Sequence, residues 1–319
     1  MAFDTSAVVA PFRMQPGLRR LAPGAQQLTP NRPGDRALRE KLAVLGSFAG
    51  EALVAAPGFD PAPALGALAA HAAAEHPQAF RCDGPGRWTA PLLGWSLQDG
   101  RPEGAGAAEI GGCLAALDPA WRLAGLLSLA FAEDYAVLDG ASGRVPWLAV
   151  CLPSHWAPEA KVGRHFAEVH APVADNAVLI AAADHLTRLV TGNDRWERFV
   201  WTLTTDPRLD RHPRRTGPTC WDPVQDAEAL ADAAYFRTER QTFIPVPALP
   251  QAVFTIHVEV QPLRTAVAST DLAERLHAAL ASMSPAVLDY RGLAPARERL
   301  LAWLEAQPAP EWPIRQTPS

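Results

Sequence analysis

One histidine of this sequence is surrounded by apolar side chains and followed closely by a proline. His170 precedes Pro172, and its neighbours Phe166, Val169 and Val173 are apolar. A porphyrin supplies four ligand nitrogens to its iron, so a protein needs to add only one side chain. A histidine at a helix end can instead bond the last free carbonyl groups of that helix. The residues alone therefore leave two interpretations of His170 open: a heme ligand or a helix cap.

A second group of polar residues lies on a strand predicted over residues 235–246. Because alternate residues of a strand share a face, Arg237, Glu239 and Gln241 are predicted to face one way and Arg240 the other. Charged and amide side chains are costly in an apolar core. This face is therefore predicted either to meet solvent or to line a polar pocket.

Motifs of the common nucleotide-binding and hydrolytic sites are missing from the sequence. It contains neither standard glycine-rich phosphate loop, and G-x-S-x-G and H-E-x-x-H are also missing. The four cysteines form no C-x-x-C pair, which argues against a structural zinc site and a protein-held iron–sulfur cluster. The ten tryptophans suit a flat apolar ligand without requiring one.

Composition places the chain among ordinary globular proteins. Of its 319 residues, 48% are hydrophobic and 20% are charged. The net charge of −5 gives no basic footprint for nucleic acid. We find neither an apolar run long enough to cross a membrane nor the features of a signal peptide. We therefore expect a cytoplasmic protein without nucleic-acid or membrane partners.

The order of predicted elements indicates an α+β fold. A hairpin of strands at 135–138 and 146–152 is followed by a helical passage over 156–191. Three further strands are predicted at 199–205, 235–246 and 252–263. This order, with two strands, then helices, then three strands, is that of a PAS domain. It predicts a five-stranded antiparallel sheet with a helical insert over one face, a natural pocket for a flat ligand.

Helices are predicted to flank this core on both sides. We expect an irregular and helical segment at 1–120 that packs on the core, the PAS-like core at 121–264, and C-terminal helices with a disordered tail at 265–319. Two helices are predicted before residue 80, and another follows Asp118 and Pro119 as cap and first position.

Several stretches together resemble the heme-binding alpha subunit of the heme-dependent oxidative N-demethylases. The specific ones are Pro153-Ser154-His155-Trp156, Lys161-Val162-Gly163-Arg164 leading to His170-Ala171-Pro172-Val173, and the run Arg237-Thr238-Glu239-Arg240-Gln241. The resemblance covers roughly residues 11–305. It implies a PAS-like core that holds heme b and oxidises an N-methyl group of a small amine such as dimethylamine with O2, releasing formaldehyde. Because the chain carries no flavin or nicotinamide motif, electrons are expected from a separate flavin/iron–sulfur reductase chain.

The resemblance also implies roles for individual residues. The histidine of the family pattern falls on His170, which becomes the expected iron ligand. The side chains expected to bind the cofactor are Arg164, Arg240, Trp201 and Trp156. Those expected to be catalytic are Glu239, Arg237 and Gln241. A carboxylate such as Glu239 suits a cationic alkylammonium, and an arginine suits bound oxygen or a heme propionate.

The sequence departs from the family pattern near the expected pocket. Ala132 stands where a glutamine is common, and Val200 stands where an asparagine is usual. These changes leave other substrates open, including a biosynthetic intermediate. A heme-binding PAS sensor without turnover is the alternative from another class, because fold does not fix function.

Overall fold

The computed structural model describes residues 3–268 and 271–307. Of the C-terminal segment predicted at 265–319, residues 269–270 and the residues from 308 onward, where the disordered tail is expected, lie outside these ranges. In the described part, the chain forms eleven strands and twelve α-helices.

The strands, in chain order, are β1 (Arg19–Arg20), β2 (Leu53–Ala55), β3 (Arg81–Gly84), β4 (Arg87–Ala90), β5 (Trp95–Gln98), β6 (Arg101–Gly104), β7 (Asp134–Asp139), β8 (Arg144–Ala149), β9 (Trp196–Thr204), β10 (Tyr235–Val246) and β11 (Gln251–Pro262). The helices are α1 (Arg36–Ala52), α2 (Ala62–Glu75), α3 (Ala108–Ala116), α4 (Arg122–Ala130), α5 (Phe166–His170), α6 (Ala177–Ala181), α7 (Ala183–Val190), α8 (Ala227–Asp232), α9 (Leu263–Val267), α10 (Leu272–Ala281), α11 (Pro285–Tyr290) and α12 (Arg297–Glu305).

The main sheet contains all five strands that the sequence predicts. Its order is β1-β9-β10-β11-β7-β8-β2, and every pair is antiparallel. The hairpin of β10 and β11 pairs without interruption from Tyr235 and Pro262 to Val246 and Gln251. Many of its residues are β-branched or aromatic, which favours a pleated surface.

The predicted count of five strands is too small. At one edge β1 pairs with β9 through Arg19 and Arg20, and at the other β2 pairs with β8 directly after α1. A separate sheet, β3-β4-β5-β6, occupies residues 81–104. Strands of two to four residues carry too little alternation to be recognised from sequence. The described chain is therefore a mixture of helices with antiparallel sheets of seven and four strands.

The two faces of the main sheet have different covers. On one face, Trp201, Leu203 and Phe236 pack into a core formed with the C-terminal helices. On the other, Leu138 and Phe243 pack with Val190 of α7. We call this second face, which also carries Glu239 and Gln241, the insert face. The division of the chain at residues 120 and 264 remains a prediction. None of the helices within the described ranges has the length and apolarity that a membrane crossing requires.

Candidate functional site

His170 is the last residue of α5, a helix that begins with a reciprocal cap. The His165 backbone N–H donates to the Glu168 carboxylate at 2.7 Å, and the Ala167 N–H donates to His165 Nδ1 at 3.2 Å. This capping box fixes the start of a helix too short to be stable alone. At its other end the His170 ring lies on Phe166, with ring centroids 4.1 Å apart.

One hydrogen bond determines which nitrogen of His170 is available. Nδ1 lies 2.8 Å from the Phe166 carbonyl oxygen. A carbonyl can only accept, so Nδ1 carries the proton in this contact. The pKa of His170 is lowered to about 4, chiefly by burial and also by the charges of Arg198 and Lys161, against the Phe166 carbonyl, which raises it. The imidazole is therefore neutral at pH 7, with the Nε2 lone pair free for a metal.

The insert face carries a polar cluster opposite this histidine. Arg198 of β9 pairs in register with Gln241 of β10. The Gln241 amide donates to Glu239 Oε2 at 2.6 Å, and the Ser154 hydroxyl donates to Glu239 Oε1. The alternation predicted for β10 is thus what the register shows. Both donors are neutral, so neither forms an ion pair with the Glu239 carboxylate.

Arg237 supports this cluster from a fully enclosed position. Its Nε donates to Ser154 Oγ at 2.8 Å, and its Nη atoms donate to the carbonyls of Arg208 at 2.9 Å and Leu209 at 2.8 Å. Burial lowers the pKa of Arg237 to about 10. The guanidinium therefore ties two loops to the sheet and orients the hydroxyl that binds Glu239. These bonds are all to other protein atoms, so Arg237 is placed to position its neighbours.

Trp156 and Arg164 also lie on the His170 side. Trp156 packs beside Leu148 and Val150 of the insert face. Arg164 has an exposed side chain, and its charge adds to burial in lowering the pKa of Lys161. The Lys161 ammonium donates to the Val169 carbonyl at 2.7 Å, one residue before His170.

Arg240 and Trp201 lie on the face opposite the insert. Arg240 forms a buried ion pair with Glu197, with Nη2 and Oε2 at 2.9 Å, and Nη1 donates to the Gln26 carbonyl at 2.8 Å. Trp201 is 4% exposed and meets Phe12 edge-on at 5.9 Å. The structure therefore does not bring these two predicted cofactor-binding residues together with His170.

Some residues of the cluster had no role assigned from sequence. The motif stretches include Ser154 and Lys161, but only the contacts of their loops show what these residues touch. Arg198 is identified by its place in the β9–β10 register. Arg291, which follows α11, lies close enough to Arg198 and Glu239 for their charges to act on its pKa. It is so distant along the chain that no local pattern could identify it.

Two other polar places lie away from His170. A cavity of about 580 Å³ borders the Arg240 side and is lined by residues that include Arg20, Gln26, His71, Glu75 and Arg195. The ligand atoms of Glu51, Glu159 and His212 lie within 4.8 Å of one another, a spacing that a metal ion could use. Arg214 and Arg215 already bind Glu51 at 3.2 and 2.6 Å, so ion pairing accounts for that cluster.

The sequence was also compared with models of known protein families. The model described as "Haem-dependent oxidative N-demethylase, alpha subunit-like" matches residues 39–301. The match spans every strand of both sheets except β1, the helical insert with His170, and most of the C-terminal helices.

Proposed function

Because the chain belongs to the alpha subunit-like family of heme-dependent oxidative N-demethylases, we propose that it binds heme with His170 as the iron ligand. The observation that carries this proposal is the state of the His170 imidazole. Its Nδ1–H is fixed by the Phe166 carbonyl, and its Nε2 has no hydrogen-bond partner among the described residues. A ligand histidine characteristically has this arrangement, in which the second nitrogen is oriented by a backbone acceptor.

The surroundings of His170 also fit a porphyrin. Phe166, Val169 and Val173 are half-buried around it, and Val178 of the adjacent helix α6 exposes 61% of its surface. Apolar side chains of this kind suit the faces of the macrocycle. The chain has no C-x-x-C-H attachment motif, so non-covalent heme b is the form we propose. The order β9-β10-β11-β7-β8 within the sheet supports a PAS-like description of the core.

We propose that the reaction is oxidation of an N-methyl group of a small amine. The heme, when bound, would supply the activation of O2. One O2, two electrons and two protons convert the N–CH3 group to N–CH2OH and water, and the N–CH2OH group then releases formaldehyde and leaves the demethylated amine. The electrons would come from a separate flavin/iron–sulfur reductase chain.

Glu239 is the residue we propose for binding the substrate ammonium. Ser154 and Gln241 orient its carboxylate, and Arg237 orients Ser154. Val200 stands directly opposite Glu239 in the β9–β10 register. An apolar side chain there, in place of the usual asparagine, supports an amine that is larger or more apolar than dimethylamine.

A spectroscopic experiment tests the heme proposal first. Purified protein reconstituted with heme is expected to show a Soret band, and His170→Ala is expected to lose it or shift it, with partial recovery in added imidazole. His185→Ala is the matched control, because His185 is an exposed histidine of α7. A His170→Ala spectrum identical to that of wild type would refute ligation by His170.

Turnover is tested separately with a reductase present. Amine-dependent O2 uptake with stoichiometric formaldehyde supports the enzyme. Spectral binding of ligands without any amine-dependent uptake would instead favour a heme-binding sensor module.

A further inference from the structure

Two arginines near the polar cluster have buried Nε atoms that lack any acceptor in the described ranges. They are Arg198 of β9 and Arg291, directly after α11. Within residues 3–268 and 271–307, the Arg198 guanidinium has no hydrogen bond or ion pair. Arg291 donates Nη1 to the Trp201 carbonyl, and its other terminal nitrogen lies 3.8 Å from Met14 Sδ. Unpaired guanidinium donors are costly to enclose, so each of these atoms calls for a partner.

The two guanidinium groups belong to one electrostatic site. The pKa of Arg291 is lowered to about 10 by burial and, to a smaller extent, by the charge of Arg198, while Tyr290 and Glu239 raise it. Burial also lowers the pKa of Arg198, while Glu239 raises it. Glu239 is the carboxylate that both arginines sense, and its oxygens already accept from Ser154 and Gln241. Arg237 also senses this carboxylate, so three guanidinium groups face one negative charge.

Arg291 is held in a fixed orientation. Its guanidinium carbon lies 4.6 Å from the Phe12 ring centroid and 5.5 Å from that of Trp201. Stacking on aromatic rings fixes the plane of the guanidinium without neutralising its charge. A planar donor group that is oriented but has no anionic partner in the described ranges is suited to a planar anion with two oxygens.

We propose that Arg198 and Arg291 together bind a carboxylate group, supplied either by a heme propionate or by the substrate. A carboxylate presents two coplanar oxygens to the planar guanidinium groups, and its negative charge is favourable where cations outnumber Glu239. The inference deepens the proposed function and rests on it for the identity of the two possible donors.

Each donor has a distinct consequence. If the substrate supplies the carboxylate, the ammonium lies on Glu239 and the carboxylate on the arginines, and the substrate class is an N-methylated amino acid. If the heme supplies it, one propionate lies at Arg198 and Arg291, and the exposed side chain of Arg164 is available to the other.

The test compares Arg198→Gln and Arg291→Gln with Arg188→Gln, which removes an exposed arginine of α7. Heme-free proteins are titrated with heme and with heme dimethyl ester, whose propionates are masked, and the Soret band is followed. The same heme-free proteins are titrated with N-methylglycine and with dimethylamine by calorimetry. Arg198→Lys keeps the charge and is expected to retain part of the affinity if the variant folds.

Loss of a charge-assisted contact predicts a decrease in affinity of about tenfold or more. A decrease for heme but not for its dimethyl ester supports a propionate, and a decrease for N-methylglycine but not for dimethylamine supports a substrate carboxylate. Equal affinities of all four probes for the glutamine variants and Arg188→Gln would overturn the proposal. Failure of wild type to bind heme would refute the proposed function alone, because the N-methylglycine titration does not require heme.

Discussion

Replacing Arg237 with methionine is expected to destabilise the fold substantially, although Arg237 was first assigned to catalysis. The guanidinium donates to Ser154 Oγ and to the carbonyls of Arg208 and Leu209, and it is 2% exposed. Methionine is similar in length and apolar, so it fills much of the volume but leaves these acceptors, and the Pro153 carbonyl at 3.4 Å, without their donor. The effect should therefore report on lost hydrogen bonds rather than on a cavity.

The magnitude follows from two opposing terms. A buried acceptor left without a partner costs about 1–3 kcal/mol, and the Arg208 and Ser154 contacts are only partly buried. Against this, removing the charge recovers desolvation energy: lowering the pKa from 12.5 to about 10 corresponds to about 3 kcal/mol. We expect a net loss of about 2–4 kcal/mol in the free energy of unfolding, within the range of disrupted buried networks.

The assay is urea unfolding of the heme-free protein, followed by tryptophan fluorescence. Arg237→Lys is expected to lose about as much stability as Arg237→Met, because a lysine keeps the buried charge but lacks the planar fork that reaches all of these acceptors. The control Arg188→Met, at an exposed position, should change stability by about 0.5 kcal/mol or less. A near-wild-type unfolding midpoint for Arg237→Lys would refute this role of the planar guanidinium, because it would show that the positive charge alone is sufficient.

Three further predictions concern other charged groups. Glu239→Gln is expected to reduce kcat/KM for cationic amines by about 10–100-fold with the Soret band unchanged; an unchanged kcat/KM in steady-state formaldehyde assays would argue against ammonium binding by Glu239. Lys41→Met should lower the free energy of unfolding in urea by about 3–5 kcal/mol, because it leaves the Asp134 carboxylate, 3.2 Å from the Lys41 ammonium, buried without its cation. The double variant Lys41→Met/Asp134→Leu should recover much of this loss. A double variant as unstable as the single one would contradict the pairing of Lys41 with Asp134. Burial alone would raise the pKa of Glu133, but His257 and Thr29 together lower it below its usual value of 4.5. The stability that this carboxylate contributes is therefore present above its unfolded-state pKa and is lost as pH falls through the lower folded-state pKa. Glu133→Gln should show a shallower loss of stability between pH 5 and acid unfolding, and curves of equal slope for the variant and wild type would contradict this role of Glu133.

Long strands and their hairpins could be predicted from sequence for a physical reason. Residues 235–246 and 252–263 alternate over more than four side-chain pairs and are joined by a short turn, so local pattern and pairing agree, and the structure places β10 and β11 there. The two edge strands and the small second sheet could not be predicted, because Arg19 and Arg20 become a strand only when β9 lies beside them. Their pairing is a property of tertiary contact rather than of local propensity.

The candidate site was predictable in part for similar reasons. Alternation along β10 correctly separates Glu239 and Gln241 from Arg240, but whether a face meets the insert or the C-terminal helices depends on long-range packing. The assignment of Arg240 to the cofactor followed the family motif and could not anticipate that Glu197 binds it. The proton position on His170 depends on one backbone carbonyl, which no residue pattern specifies.

The strict alternation of β10 has a consequence for how this protein can vary. Odd-numbered positions such as Glu239 and Gln241 meet the candidate site, whereas even-numbered Arg240 and Thr242 anchor the sheet to Gln26 and Gln27. Substitutions at Glu239 or Gln241 can therefore alter ligand preference while the packing beneath stays intact. A single-residue insertion in β10 would exchange the two sets at once, so evolution toward new substrates is expected to proceed here by replacement and not by changes in strand length.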